Sequence, residues 1–149
     1  MSTPATVDDA MSALSAYHAA RSRRFDELLQ ASGEPRTSIL LEELVRLEEE
    51  SARIISEEQQ NLGRRDQTRL LPGTAALNFE THSSQCHCDS SPTFDETVAC
   101  ALAENKSVDA LISRVQSATA AQSIRDLADR LRELEEIKTR QIAKYLRED

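Results

Sequence analysis

The chain has no tryptophan, two tyrosines, three phenylalanines, three glycines and four prolines in 149 residues. Sandwiches and barrels need turn residues every few positions and strands rich in aromatic and β-branched side chains, so this scarcity excludes them and leaves helices. No apolar run is long enough to cross a bilayer. There is no glycine-rich phosphate loop, no Gly-x-Ser-x-Gly and no His-Glu-x-x-His, so the common phosphotransfer, hydrolase and zinc-protease signatures are missing. A basic excess is missing too. The net charge is −8, which disfavours nucleic acid and anionic membrane surfaces as partners. Met1-Ser2-Thr3-Pro4-Ala5 shows no basic segment followed by an apolar stretch, so no secretion signal is expected. Three cysteines cannot all pair within one chain, and a reducing cytoplasm is the simpler expectation.

What is present is helical periodicity, and it occurs twice. The length suits one domain with a single core. Residues 7–62 align without a gap on residues 94–149, placing Leu44-Val45-Arg46-Leu47-Glu48 on Leu131-Arg132-Glu133-Leu134-Glu135. Each copy reads as two amphipathic helices. The first seam runs Val7, Met11, Leu14, His18, Arg21, Phe25, Leu28, and the second Leu41, Leu44, Glu48, Ser51, Ile55, Glu58, Leu62. The third is Phe94, Val98, Ala101, Asn105, Val108, Ile112, Val115, and the fourth Ile124, Ala128, Leu131, Glu135, Lys138, Ile142, Tyr145. Steps of three and four are the spacing of a stripe facing a bundle core. Thr6 with Asp9, and Thr93 with Glu96, have the spacing of capping boxes. Pro35 fits a first helical turn. The second turn, near Ala120, has neither Gly nor Pro and is placed by the repeat alone. The expected fold is all-α: an antiparallel four-helix bundle of two duplicated hairpins, residues 6–63 and 93–149, joined by a long crossover, residues 64–92.

The seams are broken by polar residues at matching heights. His18, Glu48 and Ser51 interrupt the first copy; Asn105, Glu135 and Lys138 interrupt the second. Counting from the two turns, these six groups converge at mid-bundle. A buried polar belt of this kind must be internally satisfied, wet, or occupied by an ion. The blander alternative is that His18 is a hydrogen-bonded core histidine, that Glu48 and Glu135 lean into water, and that Lys138 snorkels. The crossover carries a second candidate site, His82, Cys86, His87 and Cys88. Thiolate and imidazole suit zinc. The one-residue spacing of the two cysteines does not suit a structural zinc site, and a solvated loop is the simpler reading.

These residues carry a resemblance. Leu44 to Ser51 and Leu131 to Lys138 look like the paired Glu-x-x-His motifs of the rubrerythrin branch of the ferritin-like family, with Ser51 and Lys138 in the histidine positions. His18 stands where that family has a glutamate on its first helix, and Asn105, or neighbouring Glu104, stands at the equivalent place on the third. The resemblance implies duplicated hairpins with a long connection between the second and third helices. It also implies a di-iron or dimanganese centre whose remaining ligands here are His18, Glu48, Glu135 and Glu104. Both histidines of the motif are absent, and an ammonium at Lys138 can replace a cation between two glutamates.

The function expected is therefore a non-catalytic ferritin-like bundle, a structural or protein-interaction subunit with no cofactor. The resemblance adds the expectation of a homodimer. Two other readings stay open: a metal-binding redox protein with an altered iron or manganese site, and an acidic helical chaperone or adaptor.

Overall fold

The computed structural model describes residues 4–73, 91–103 and 106–147, with residues 146 and 147 described through their backbone alone. The described residues are helical and contain no strand beyond one isolated bridge. The helices are α1 (Val7–Ala31), α2 (Pro35–Asn61), α3 (Arg64–Gln67), α4 (Phe94–Leu102), α5 (Lys106–Gln116) and α6 (Gln122–Arg147).

Local chemistry sets the starts. Thr6 accepts from the Asp9 backbone N–H while Asp9 accepts from that of Thr6, and Thr93 and Glu96 repeat the exchange at α4. Both reciprocal pairs satisfy donors that a helix start otherwise leaves open. At α2 the cap is Glu34, which accepts from the backbone N–H groups of Arg36 and Thr37, with Pro35 in the first turn. Acidic caps also complement the positive end of the helix dipole.

α1 packs along α2 and α5 along α6, giving one hairpin on each side of the connector. α2 meets α4 and α6, and α1 meets α5, so the two hairpins share a core. Every residue of the first seam is buried. The seam on α2 is buried from Leu41 to Ile55 and half-buried at Glu58 and Leu62. The apolar side chains form two clusters. One joins the N-terminal half of α1 to α5 and the start of α6, around Met11, Leu14, Leu111, Ile112 and Leu127. The other joins Phe25 and Leu28 to Leu40, Leu41, Leu44, Val98 and Ile142.

Two expectations are corrected. The single third helix is two, α4 and α5, because Ala103 leaves α4 with ψ 127°. The change falls beside Asn105 in the sequence, and asparagine competes for backbone hydrogen bonds and favours helix starts. The connector, read as lacking helical structure, begins with α3 and then returns to the start of α1. Thr6 and Leu70 form a bridge, Leu71 N–H donates to Ala5 O at 2.9 Å, and Val7 N–H donates to Arg69 O at 2.9 Å. Gly73 at φ 87° ends this stretch, and Arg114 of α5 donates to the carbonyls of Pro72 and Gly73 at 2.7 and 2.8 Å. Cys100 is disulfide-bonded and buried in the second cluster, and an odd count of cysteines permits one such pair. The other two cysteines lie outside the described residues. The turn placed near Ala120 is found there, between Gln116 and Gln122.

Candidate functional site: a buried ionic layer

Between the two apolar clusters lies a layer of charge. His18 of α1 is fully buried and engages a carboxylate with each ring nitrogen: Nδ1 lies 2.6 Å from Glu48 Oε2 and Nε2 lies 2.7 Å from Glu135 Oε1. Lys138 Nζ, one turn after Glu135 on α6, is 3.1 Å from Glu48 Oε1 and 3.2 Å from Glu135 Oε2. Arg21, one turn after His18, donates through Nε to Glu48 Oε1 at 3.2 Å. Glu48 is 1 % exposed and Arg21 3 %, while the Glu135 side chain is 27 % exposed, so one edge of the layer touches water.

The helices dictate this arrangement. Residues three apart on one helix project from the same face, which stacks His18 with Arg21 and Glu135 with Lys138. α2 then presents Glu48 to both pairs. His18 and Lys138 each touch Glu48 of the first hairpin and Glu135 of the second, so the layer joins the two halves of the repeat. The Tyr17 ring meets His18 edge-on at 5.1 Å, and the Arg21 guanidinium lies 5.0 Å from the Phe25 ring centroid. Arg21 thus gains a further electrostatic attraction from an aromatic face.

Ionisation follows from this geometry. Burial would lower the His18 pKa and Lys138 opposes its charge, but the hydrogen bonds to Glu135 and Glu48 outweigh both and raise it above 6.5. Burial would raise both glutamates, yet Lys138 and then His18 overcome it. Glu48 is held well below 4.5, and Glu135 falls to about 2. Burial would also lower Lys138, but Glu48 and Glu135 reverse that and raise it above 10.5. A raised pKa contributes stability below the unfolded value and loses it as pH rises through the folded value; a lowered pKa does the reverse. His18 therefore contributes fully below pH 6.5, and the glutamates contribute fully above pH 4.5. Urea midpoints across pH are expected to be highest between these values and to decline on either side. The decline above 6.5 should be absent in His18→Gln, which has no proton to lose there.

Of the residues singled out in the sequence, His18, Glu48, Glu135 and Lys138 come together. Ser51 is buried one turn further along α2. Glu104, Asn105, His82, Cys86, His87 and Cys88 fall outside the described residues. Arg21 was legible as a seam position but not as a member of the belt. Its signal was a second charged residue on the apolar stripe, one turn after His18.

The layer does not fit a metal ion. Both His18 nitrogens point at carboxylates, and the ammonium of Lys138 sits where a cation bridging Glu48 and Glu135 would bind. Ser51 supplies no imidazole. Among the described residues, no group of three or more His, Cys, Asp or Glu is placed to hold a metal. No helix there is long and apolar enough to cross a membrane.

Fold and site together define an all-helical protein whose two hairpins are joined through a self-paired ionic layer. No protein-family model, curated protein or solved structure matches the chain.

Proposed function

We propose that this chain is a non-catalytic four-helix scaffold of ferritin-like descent, a structural or protein-interaction subunit in which an ionic layer has taken the place of a metal centre. The observation that carries this reading is Lys138 Nζ lying 3.1 and 3.2 Å from Glu48 and Glu135. The lysine stands at the motif position where the family has a ligand histidine. The internal repeat supports the same descent, because Glu48 and Glu135 occupy equivalent places in its two copies and both bind His18. Each ionised group of the layer contacts an opposite charge, three cations sharing two carboxylates, which suits cohesion between hairpins. A reaction would instead need a lone pair or a proton available to a substrate. A self-associating scaffold, such as a homodimer, follows from the resemblance and would show in sedimentation.

The test is metal content together with thermal stability. Protein purified without chelator is expected to carry far less than one equivalent of iron, manganese or zinc. Added Fe(II) or Mn(II) should leave its melting temperature unchanged, since an ion that binds only the folded state would raise it. One or two equivalents per chain, lost in Glu48→Gln, would overturn the proposal in favour of a metal-dependent redox protein. Metal lost instead in Cys86→Ser with Cys88→Ser would move the site to the connector and leave the layer as a structural element.

A further inference from the structure

The two hairpins are fastened a second time, away from the ionic layer. After α2 the chain turns through α3 and returns to the start of α1 as residues 64–73. This stretch touches both hairpins. On the first, Leu71 N–H donates to Ala5 O and Val7 N–H donates to Arg69 O, both at 2.9 Å. On the second, Arg114 of α5 donates to Pro72 O at 2.7 Å and to Gly73 O at 2.8 Å, and Ser123 Oγ of α6 donates to Asp66 Oδ2 at 2.8 Å.

Little apolar burial holds the stretch in place. α3 has no buried residue, and Leu71 is the one buried side chain between Arg64 and Gly73. Leu71 belongs to the same apolar cluster as Val7, Val115 and Ile124. Segments with few buried apolar contacts open at a lower free energy than the core of their domain. The backbone pairing also ties two protons to one event. Val7 is the first residue of α1, so its N–H has no partner within the helix and depends on Arg69 O. Leu71 N–H depends on Ala5 O, across the same pair of segments. Parting those segments frees both amides at once.

We propose that residues 64–73 are a detachable clasp, which opens as one unit and releases the pairing at Val7 and Leu71 together with the two bonds from Arg114 while the long helices stay folded. Opening removes this fastening between the hairpins and uncovers the part of the first apolar cluster on which Leu71 sits. The ionic layer holds the hairpins together meanwhile. The clasp is a conformational device of the fold and does not depend on the chain's being a scaffold of ferritin-like descent.

Native-state amide hydrogen exchange of the full chain, followed by NMR in low concentrations of urea, tests the clasp. Val7 and Leu71 are expected to share one protection factor, roughly a hundredfold or more below those of Leu14 and Leu44 in the helix interiors. Urea should barely change it, because opening the clasp exposes little surface, whereas Leu14 and Leu44 should lose protection steeply. Arg114→Gln should lower the protection of Val7 and Leu71 alike, by roughly tenfold, the loss of hydrogen bonds from a charged donor. Ser123→Ala, at an exposed position, should lower both in the same direction, and circular dichroism checks that each variant is folded. Unequal protection of Val7 and Leu71, a urea dependence equal to that of Leu14 and Leu44, or unchanged protection in folded Arg114→Gln would each overturn the proposal.

Discussion

Glu48→Ala is expected to be the most damaging single substitution in the chain, with a loss of about 3–5 kcal/mol and a fall in melting temperature of roughly 8–16 °C. The side chain is 1 % exposed and touches three cations: His18 at 2.6 Å, Lys138 at 3.1 Å and Arg21 at 3.2 Å. Its removal strands buried charge, and the cost comes from the partners left behind more than from the pair lost. Domains of this kind are stable by only about 5–15 kcal/mol, so the variant should be close to unfolding at ordinary temperature. Glu48→Gln keeps the volume and separates charge from packing; it should retain most of the loss. The neighbouring exposed Glu49 supplies the control, and Glu49→Ala should change stability by no more than about 0.5 kcal/mol. Chemical denaturation of the four proteins measures this directly. Equal midpoints for the Glu48 and Glu49 alanine variants would show that the layer carries no stability.

Lys138→Ala should have the second largest effect, near the lower end of the same range of about 3–5 kcal/mol. Glu48 keeps His18 and Arg21 when the lysine is gone, and Glu135, 27 % exposed, can turn partly to water. Lys138→Met tests whether the effect is electrostatic, because the thioether refills the space without the charge. If the ammonium acts as the cation between two glutamates, methionine should recover little of the loss. If it recovers nearly all, the lysine is a packing residue and its place in the layer is incidental. Lys144→Ala, at an exposed position of the same helix, should be near neutral, within about 0.5 kcal/mol.

These effects rest on residues that the sequence already marked, because a buried charge interrupts a helical stripe in a way that can be counted. The seam Val7, Met11, Leu14, His18, Arg21, Phe25, Leu28 is buried throughout. The breaks in it and in its counterparts led to His18, Glu48, Glu135 and Lys138 before any coordinate was needed. Capping boxes at Thr6 and Thr93 were legible for a similar reason, since their chemistry is local. The features that escaped depend on chain folding over distance. Nothing periodic announces that residues 69–71 return to pair beside Thr6, or that Cys100 is joined to another cysteine. The end of α4 at Leu102 was hidden because Val98, Ala101, Val108 and Ile112 keep a helical rhythm across it. All four of these side chains are buried, so the pattern reports burial correctly while the backbone leaves the helix between them. Arg21 was seen as a seam residue, but its partner could not be named, because a single stripe does not say which helix lies opposite.

The ring of His18 gives the most direct test of the ionic layer. Its two nitrogens lie 2.6 and 2.7 Å from carboxylate oxygens of α2 and α6, an arrangement that requires a proton on both. Nitrogen NMR of the imidazole, assigned by its absence in His18→Gln, should show Nδ1 and Nε2 both protonated at neutral pH. The charged form should persist above the ordinary value of 6.5. A ring that titrates at or below that value, or one with a deprotonated or metal-shifted nitrogen at neutral pH, would contradict the self-paired layer and return the site to metal chemistry.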